Sequence, residues 1–202
     1  MMRRPLVGAA VLCGALLLAA CNGSPEAGRV TPAPTTRSPT TTPTGSTPTT
    51  PAWTEEELAA IAGAKARYIA AHAAIDKALN EPLKSSRQPL QRAGIGGSWL
   101  TTAIEDVRSH RDNGWYQSGA VKVASLAVES VNLRGEQPEV KLKSCIDSSK
   151  TMVRFQSDGK PVPVGPGNGS RHGFQAWLVF APPAGKTAKM WFLIEEKTTG
   201  SC

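Results

Sequence analysis

No aromatic residue occurs before Trp53: the five Trp, two Tyr and four Phe all lie in the stretch from Trp53 to Cys202 of this 202-residue chain. Cores are built from aromatic and branched aliphatic side chains, so the first 52 residues have nothing with which to make one. The folding unit is therefore residues 53–202. About 150 residues are enough to bury roughly two-thirds of the unfolded chain's surface in one core. Two large domains are excluded, and so is a polytopic membrane protein.

The aromatic-free segment divides in two. Arg3 and Arg4 precede an apolar run from Leu6 to Ala20, shorter than the ~20 residues a membrane span needs. This is the layout of a secretory signal peptide over residues 1–20. The run ends Leu18-Ala19-Ala20-Cys21, followed by Asn22-Gly23-Ser24. Small residues before a cysteine at the end of an apolar run resemble the bacterial lipobox. The resemblance implies cleavage before Cys21 and acylation of that residue with diacylglycerol and palmitate-type chains. Two or three chains anchor firmly, where one binds only marginally. The expected location is the extracytoplasmic face of the cell membrane.

From residue 22 to 52, ten Thr and seven Pro fill most positions, as in Pro39-Thr40-Thr41-Thr42-Pro43-Thr44. Such a composition cannot offset the entropy of ordering, so residues 21–52 are expected to be a lipidated cysteine and a disordered stalk. In polyproline II geometry it would reach at most ~95 Å. With residues 1–20 removed the net charge falls from +7 to +5, because only Arg3 and Arg4 are lost. The charges are scattered and no aromatics interleave with a basic stripe, so nucleic-acid binding is not expected. A mildly basic surface suits an anionic membrane or wall.

The folded unit reads as helices followed by strands. Thr54-Glu55-Glu56-Glu57 is a capping box. Leu58, Ile61, Tyr68, Ile75 and Leu79 form an apolar helical stripe, and Pro82 ends the helix near Asn80. Residues 83–97, with Pro89 and several glycines, read as a loop or short turn. A second helix is expected from Ser98 to Asp112. Beyond Trp115 the period becomes two, with parity slips between Val123, Leu126, Val128 and Val131 that signal bulges in a long bent strand. Arg134–Pro138 reads as a hairpin turn, and strands follow at Val140–Ile146, Thr151–Phe155, Phe174–Phe180 and Met190–Ile194.

Helices packed on a curved antiparallel sheet make an α+β fold. Over residues 54–197 this order of elements, with its long terminal hairpin, resembles the nuclear-transport-factor-2-like superfamily of cystatin-like and polyketide-cyclase-like cones. The whole layout of lipobox, Thr/Pro stalk and such a domain is similar to small lipoproteins of high-GC Gram-positive bacteria. In that group a mid-sheet Cys-Ile/Val-Asp with a terminal Cys is familiar; here it stands as Cys145-Ile146-Asp147 and Cys202. With Cys13 lost in the signal and Cys21 lipidated, these two remain in an oxidising compartment, and the expectation is a Cys145–Cys202 disulfide.

Chemistry is sparse. The superfamily resemblance implies a pocket between helices and sheet, where related enzymes use Asp and His for proton transfer. Tyr68, His72 and Asp76, one helical turn apart, are the candidates. No HExxH or GxSxG is present, and neither a metal nor a cofactor is implied. Ser157-Asp158-Gly159-Lys160 fits SxxK but lies at a turn rather than a helix start. Gly185-Lys186-Thr187 lacks the upstream glycine of a phosphate loop. In the terminal hairpin both faces are apolar, with Trp177, Val179, Trp191 and Leu193 expected on one of them. That face would then be covered by the domain's own segments, a second copy or an envelope protein, with Trp177 meeting Trp191 across the strands. The reading is a lipid-anchored envelope protein whose domain binds or scaffolds without catalysis. The alternative is a small-molecule pocket or a cyclase/isomerase-like enzyme using His72 and Asp76.

Overall fold

Thr54 starts the first helix as its sequence requires. Its hydroxyl accepts the Glu57 amide at 3.2 Å, and the Glu57 carboxylate accepts the Thr54 amide at 2.8 Å. The helix α1 then runs Glu55–Asn80. The computed structural model describes residues 53–163 and 170–202. The expected signal peptide, Cys21, the stalk and the glycine-rich loop at 165–169 lie outside these residues. The buried face of α1 begins at Ile61 and continues through Ala64, Tyr68, Ala71 and Ala78. Leu58, expected inward, is 52% exposed because it sits in the first turn, before that face begins.

Residues 83–97 are more regular than expected. A single 3-10 turn at Pro82–Lys84 leads to a short helix α2, Arg87–Arg92, and then to α3, Gly97–Asp112. Pro89 is the third residue of α2, where a missing N–H breaks no helical bond. Leu90 of α2 and Leu100, Ala103 and Val107 of α3 are buried.

Six strands follow: β1 Trp115–Ser118, β2 Lys122–Asn132, β3 Glu139–Asp147, β4 Met152–Phe155, β5 Arg171–Ala181 and β6 Met190–Ser201. The main antiparallel sheet has the order β2-β3-β5-β6, while β4 leaves it to pair with β1 in a separate two-stranded sheet. The anticipated bulges are present, with register shifts at Val123/Ser125 and Val128/Ser130 in β2. Two more fall in the last hairpin, at Gly173/Phe174 and Trp177/Leu178. Each adds twist and bends its strand locally. The fold is α+β, with helices preceding antiparallel strands.

The two free edges of the main sheet are treated differently. Along β6, Leu193 donates to the Gly94 carbonyl at 2.7 Å and accepts the Gly96 amide at 2.9 Å, so residues 94–96 lie on the edge like a short parallel strand. Only glycine fits at 94: its φ is +85°, and a Cβ there would lie 2.8 Å from the Trp191 carbonyl oxygen. The arrangement seats Ile95, fully buried, beneath the sheet edge.

One expectation about the terminal hairpin is corrected. Trp177 and Trp191 do not meet. Ala181 pairs with Met190, so odd-numbered positions on one strand oppose even-numbered ones on the other, and Trp191 lies across from Phe180 while Leu193 lies across from Leu178. Trp191 and Leu193 therefore point into the core. The Phe180 and Trp191 ring centroids are 5.2 Å apart. A Cβ at Gly63 of α1 would lie 2.9 Å from the Trp191 indole nitrogen, so the helix passes directly over this tryptophan. Trp177 and Val179 face the other side of the sheet.

Cys145 and Cys202 are joined, with Cα atoms 5.8 Å apart and a sequence separation of 57. Beside the bridge, Gly173 of β5 leaves room for Thr199, whose Oγ1 would lie 2.7 Å from a Cβ there. In the chain-entropy account a loop of this length stabilises by about 4 kcal/mol. We expect Cys145→Ser/Cys202→Ser to lose stability of that order in urea unfolding. Non-reducing peptide mapping should recover the Cys145–Cys202 pair. Free thiols at both positions in oxidised protein, or a double variant as stable as the parent, would contradict the assignment.

Candidate functional site

A buried polar cluster lies where α1 crosses the main sheet. Tyr68 and His72 are one turn apart on α1, with ring centroids 4.5 Å apart. Ser144 rises from β3 and Glu196 from β6. The Glu196 side chain is only 1% exposed and that of His72 12%, while Tyr68 is fully buried. The Glu196 carboxylate bonds the Tyr68 hydroxyl and lies 3.2 Å from His72 Nε2. The Tyr68 and Ser144 oxygens are 2.6 Å apart.

The donors follow from valence. A carboxylate only accepts, so the Tyr68 proton and a His72 Nε2 proton are both directed at Glu196. Tyr68 has one proton, hence Ser144 must donate to the phenol oxygen. Ser144 thus donates to Tyr68 and Tyr68 to Glu196, while His72 donates to the same Glu196 oxygen from the opposite end of the chain.

Burial, first, pushes the Tyr68 phenol well above its ordinary range; the Glu196 charge and the hydrogen bond to it act the same way, against the Ser144 bond. The phenol stays protonated and serves as a donor. Asp76, one turn beyond His72, is also buried. Its carboxylate accepts Gln117 Nε2 at 2.7 Å and the Val121 amide at 3.1 Å. Burial raises its pKa, while these two bonds and the nearby His72 partly offset the rise. Asp76 thereby ties α1 to β1 and to the segment entering β2.

Of the pocket residues expected from sequence, Tyr68, His72 and Asp76 do converge on the helix–sheet boundary. Each is already hydrogen-bonded to the protein, and the space around Tyr68 is filled by Ser144 and Glu196. Ser144 and Glu196 are not among the residues expected from sequence. Ser144 stands between Leu142 and Ile146 on the inward parity of β3, and a polar residue at such a position is a readable signal. Glu196 carries no such signal, because the hairpin bulge at Trp177/Leu178 resets its parity.

The expected interface set separates likewise. Trp191 and Leu193 are core. Trp177 lies on the outer sheet face with Lys141 Nζ 3.7 Å from its ring centroid, and its indole N–H donates to Glu139 at 2.9 Å. Lys143–Glu129 and Lys197–Glu195 pairs flank it, and Val179 beside it is buried. Charged stems of the domain's own strands cover this face.

Two surface grooves are open elsewhere. One, of about 470 Å³, lies between the end of α1 and the β1–β4 sheet and includes Asn80, Leu83 and Tyr116. The other, of about 460 Å³, lies between α2 and α3. Neither is lined by Tyr68, His72 or Asp76. Among the described residues no cluster of three or more metal-binding side chains occurs, and no helix is long and apolar enough to cross a membrane.

The chain matches no known protein-family model and no curated protein. Among solved structures it is similar to the intermembrane space region of chloroplast protein ARC6. The TM-score is 0.45 at 10% identity, over 67% of this chain and 92% of that one.

The raised Tyr68 pKa has a consequence with a definite sign. The unfolded phenol ionises near pH 10, the folded one only above that. The stability it contributes is complete below pH ~10 and is lost as the pH rises beyond it. We expect the Tyr68 phenolate to appear, by absorbance near 295 nm, only as the domain unfolds. Tyr68→Phe should cost about 1–3 kcal/mol at neutral pH by stranding Ser144 and Glu196, and should flatten the alkaline fall in stability. Ionisation of Tyr68 in the intact fold would contradict this.

Proposed function

We propose that this protein is a lipid-anchored component of the cell envelope, held at the outer face of the cytoplasmic membrane, whose folded domain binds or scaffolds rather than catalyses. The observation that carries the reading is the closure of the Tyr68–Glu196–His72–Ser144 cluster. A proton-transfer site needs a donor or acceptor within reach of substrate. Here the phenol is fully buried and the Glu196 side chain is 1% exposed, so the groups best suited to acid–base chemistry are spent on holding α1 to the sheet. The alternative, isomerase-like use of His72 and Asp76, is disfavoured for the same reason: both Asp76 oxygens are occupied by Gln117 and Val121.

In this proposal the domain is a nuclear-transport-factor-2-like cone with its mouth closed. Helices preceding a bulged, curved antiparallel sheet support that finer assignment. The Cys145–Cys202 bridge supports export, since such bonds persist in oxidising compartments. The lipobox ending at Cys21 supports the anchor, and the Thr/Pro stalk supplies reach. With Trp191 and Leu193 in the core, only Trp177 and Val179 of the expected interface face outward, beneath charged neighbours. The recognition surface is therefore sought on the helical side, away from the sheet.

Fractionation of cells expressing Cys21→Ser tests the anchor. The parent should sediment with membranes, and the variant should appear in the medium or remain unprocessed. Normal maturation with undiminished membrane retention would overturn the lipid-anchor reading.

A further inference from the structure

The groove between α2 and α3 combines features that the buried cluster lacks: access, an apolar floor and uncompensated positive charge. Leu90 and Val107 form its buried base, with Ile104 half-buried beside them. Arg87, Arg108 and Arg111 line it against one carboxylate, Glu105, leaving a net excess of two positive charges. Arg111 is held in place: its Nε and Nη2 donate to the Pro82 carbonyl at 3.3 and 3.1 Å, and Nη2 also to the Ser85 carbonyl at 3.1 Å. Carbonyl oxygens orient the guanidinium without cancelling its charge. Among the described residues Arg87 and Arg108 have no hydrogen-bond or ion-pair partner, and both are exposed at the rim.

We propose that this groove binds the head and first acyl carbons of an anionic membrane phospholipid. Guanidinium groups match phosphate oxygens through paired, planar donors, and a fixed Arg111 spares part of the ordering cost that binding otherwise incurs. The apolar floor selects against a bare phosphate, which would leave Leu90, Ile104 and Val107 wet. A volume of about 460 Å³ is that of a small-ligand site, smaller than a docked amphipathic helix requires. An acidic peptide is accordingly the weaker occupant. The preference for an amphipathic anion stands on the groove alone. The choice of a membrane lipid over a free one rests on the lipid-anchor reading.

The test is calorimetric titration of the full chain with dihexanoyl phosphatidylglycerol below its micellar concentration, so that no bilayer takes part. We expect saturable binding that weakens about tenfold or more in Arg87→Gln/Arg108→Gln, a loss near 1.4 kcal/mol. Both side chains are exposed, and an unchanged melting temperature checks that the fold survives; Arg87→Lys/Arg108→Lys, which keeps the charge but not the fork, should fall between. Dihexanoyl phosphatidylcholine should bind at least about tenfold more weakly than the anionic lipid, since its ammonium meets the arginines. Glycerophosphoglycerol, the same head without acyl chains, should also bind more weakly. The proposal is overturned if phosphatidylcholine binds equally, if the glutamine variant binds as the parent does, if inorganic phosphate matches the lipid, or if an acidic amphipathic peptide displaces it at lower concentration. Because the probe is soluble, failure here leaves the Cys21→Ser fractionation result untouched, and the converse also holds.

Discussion

The Glu196 carboxylate, buried beneath α1, is the constraint around which the domain is arranged. A carboxylate taken out of water is costly unless its lone pairs are filled. Here Tyr68 and His72, which come from the same helix one turn apart, both meet its Oε1. Only one rotation and one axial position of α1 present both donors at once. The hydrophobic contacts of Ala64, Ala71 and Leu178 tolerate small slips, because dispersion is weakly directional; the hydrogen bonds do not. Ser144 closes the chain from β3, so the helix is referenced to two strands of the sheet.

Asp76 extends the same logic to the smaller sheet. By accepting Gln117 and the Val121 amide, it places the β1–β2 corner against the C-terminal half of α1. Trp191 does the corresponding work toward the helix's N-terminal half, packing under Gly63. Three contact points spaced along one 26-residue helix thus organise both sheets. The space between α1 and the sheet is thereby filled by Tyr68, Ser144 and Glu196. On the helical exterior, three arginines line a short apolar groove against a single carboxylate, Glu105.

Edge treatment follows from similar economy. Residues 94–96 satisfy part of the β6 edge and bury Ile95, and the disulfide fastens the chain end just past β6. The β2 edge carries bulges, which discourage pairing with another strand. On the outer face, Trp177 is shielded by lysine stems and held by Glu139, so an apolar residue that would invite association is given a charged cover.

How much was legible in the sequence depends on whether the signal was local. The capping box at Thr54, the stop at Pro82, the bulged β2 strand and the change from helices to strands are all written in neighbouring residues, through hydrogen-bonding side chains and periodicity. The Cys145–Cys202 pairing followed from elimination among four cysteines together with a familiar motif. The short α2 was hidden because Pro89 marks a breaker in general but is harmless in a first turn. Tertiary structure decided the rest. The odd-to-even pairing of Ala181 with Met190 sent Trp191 and Leu193 inward, and the bulge at Trp177/Leu178 carried Glu196 under α1. Strand register is set by long-range hydrogen bonding, and a one-residue change moves every side chain to the other face. Residue type thus placed Tyr68 and His72 on one helix, but only the register of β6 could supply the carboxylate that makes them a closed network.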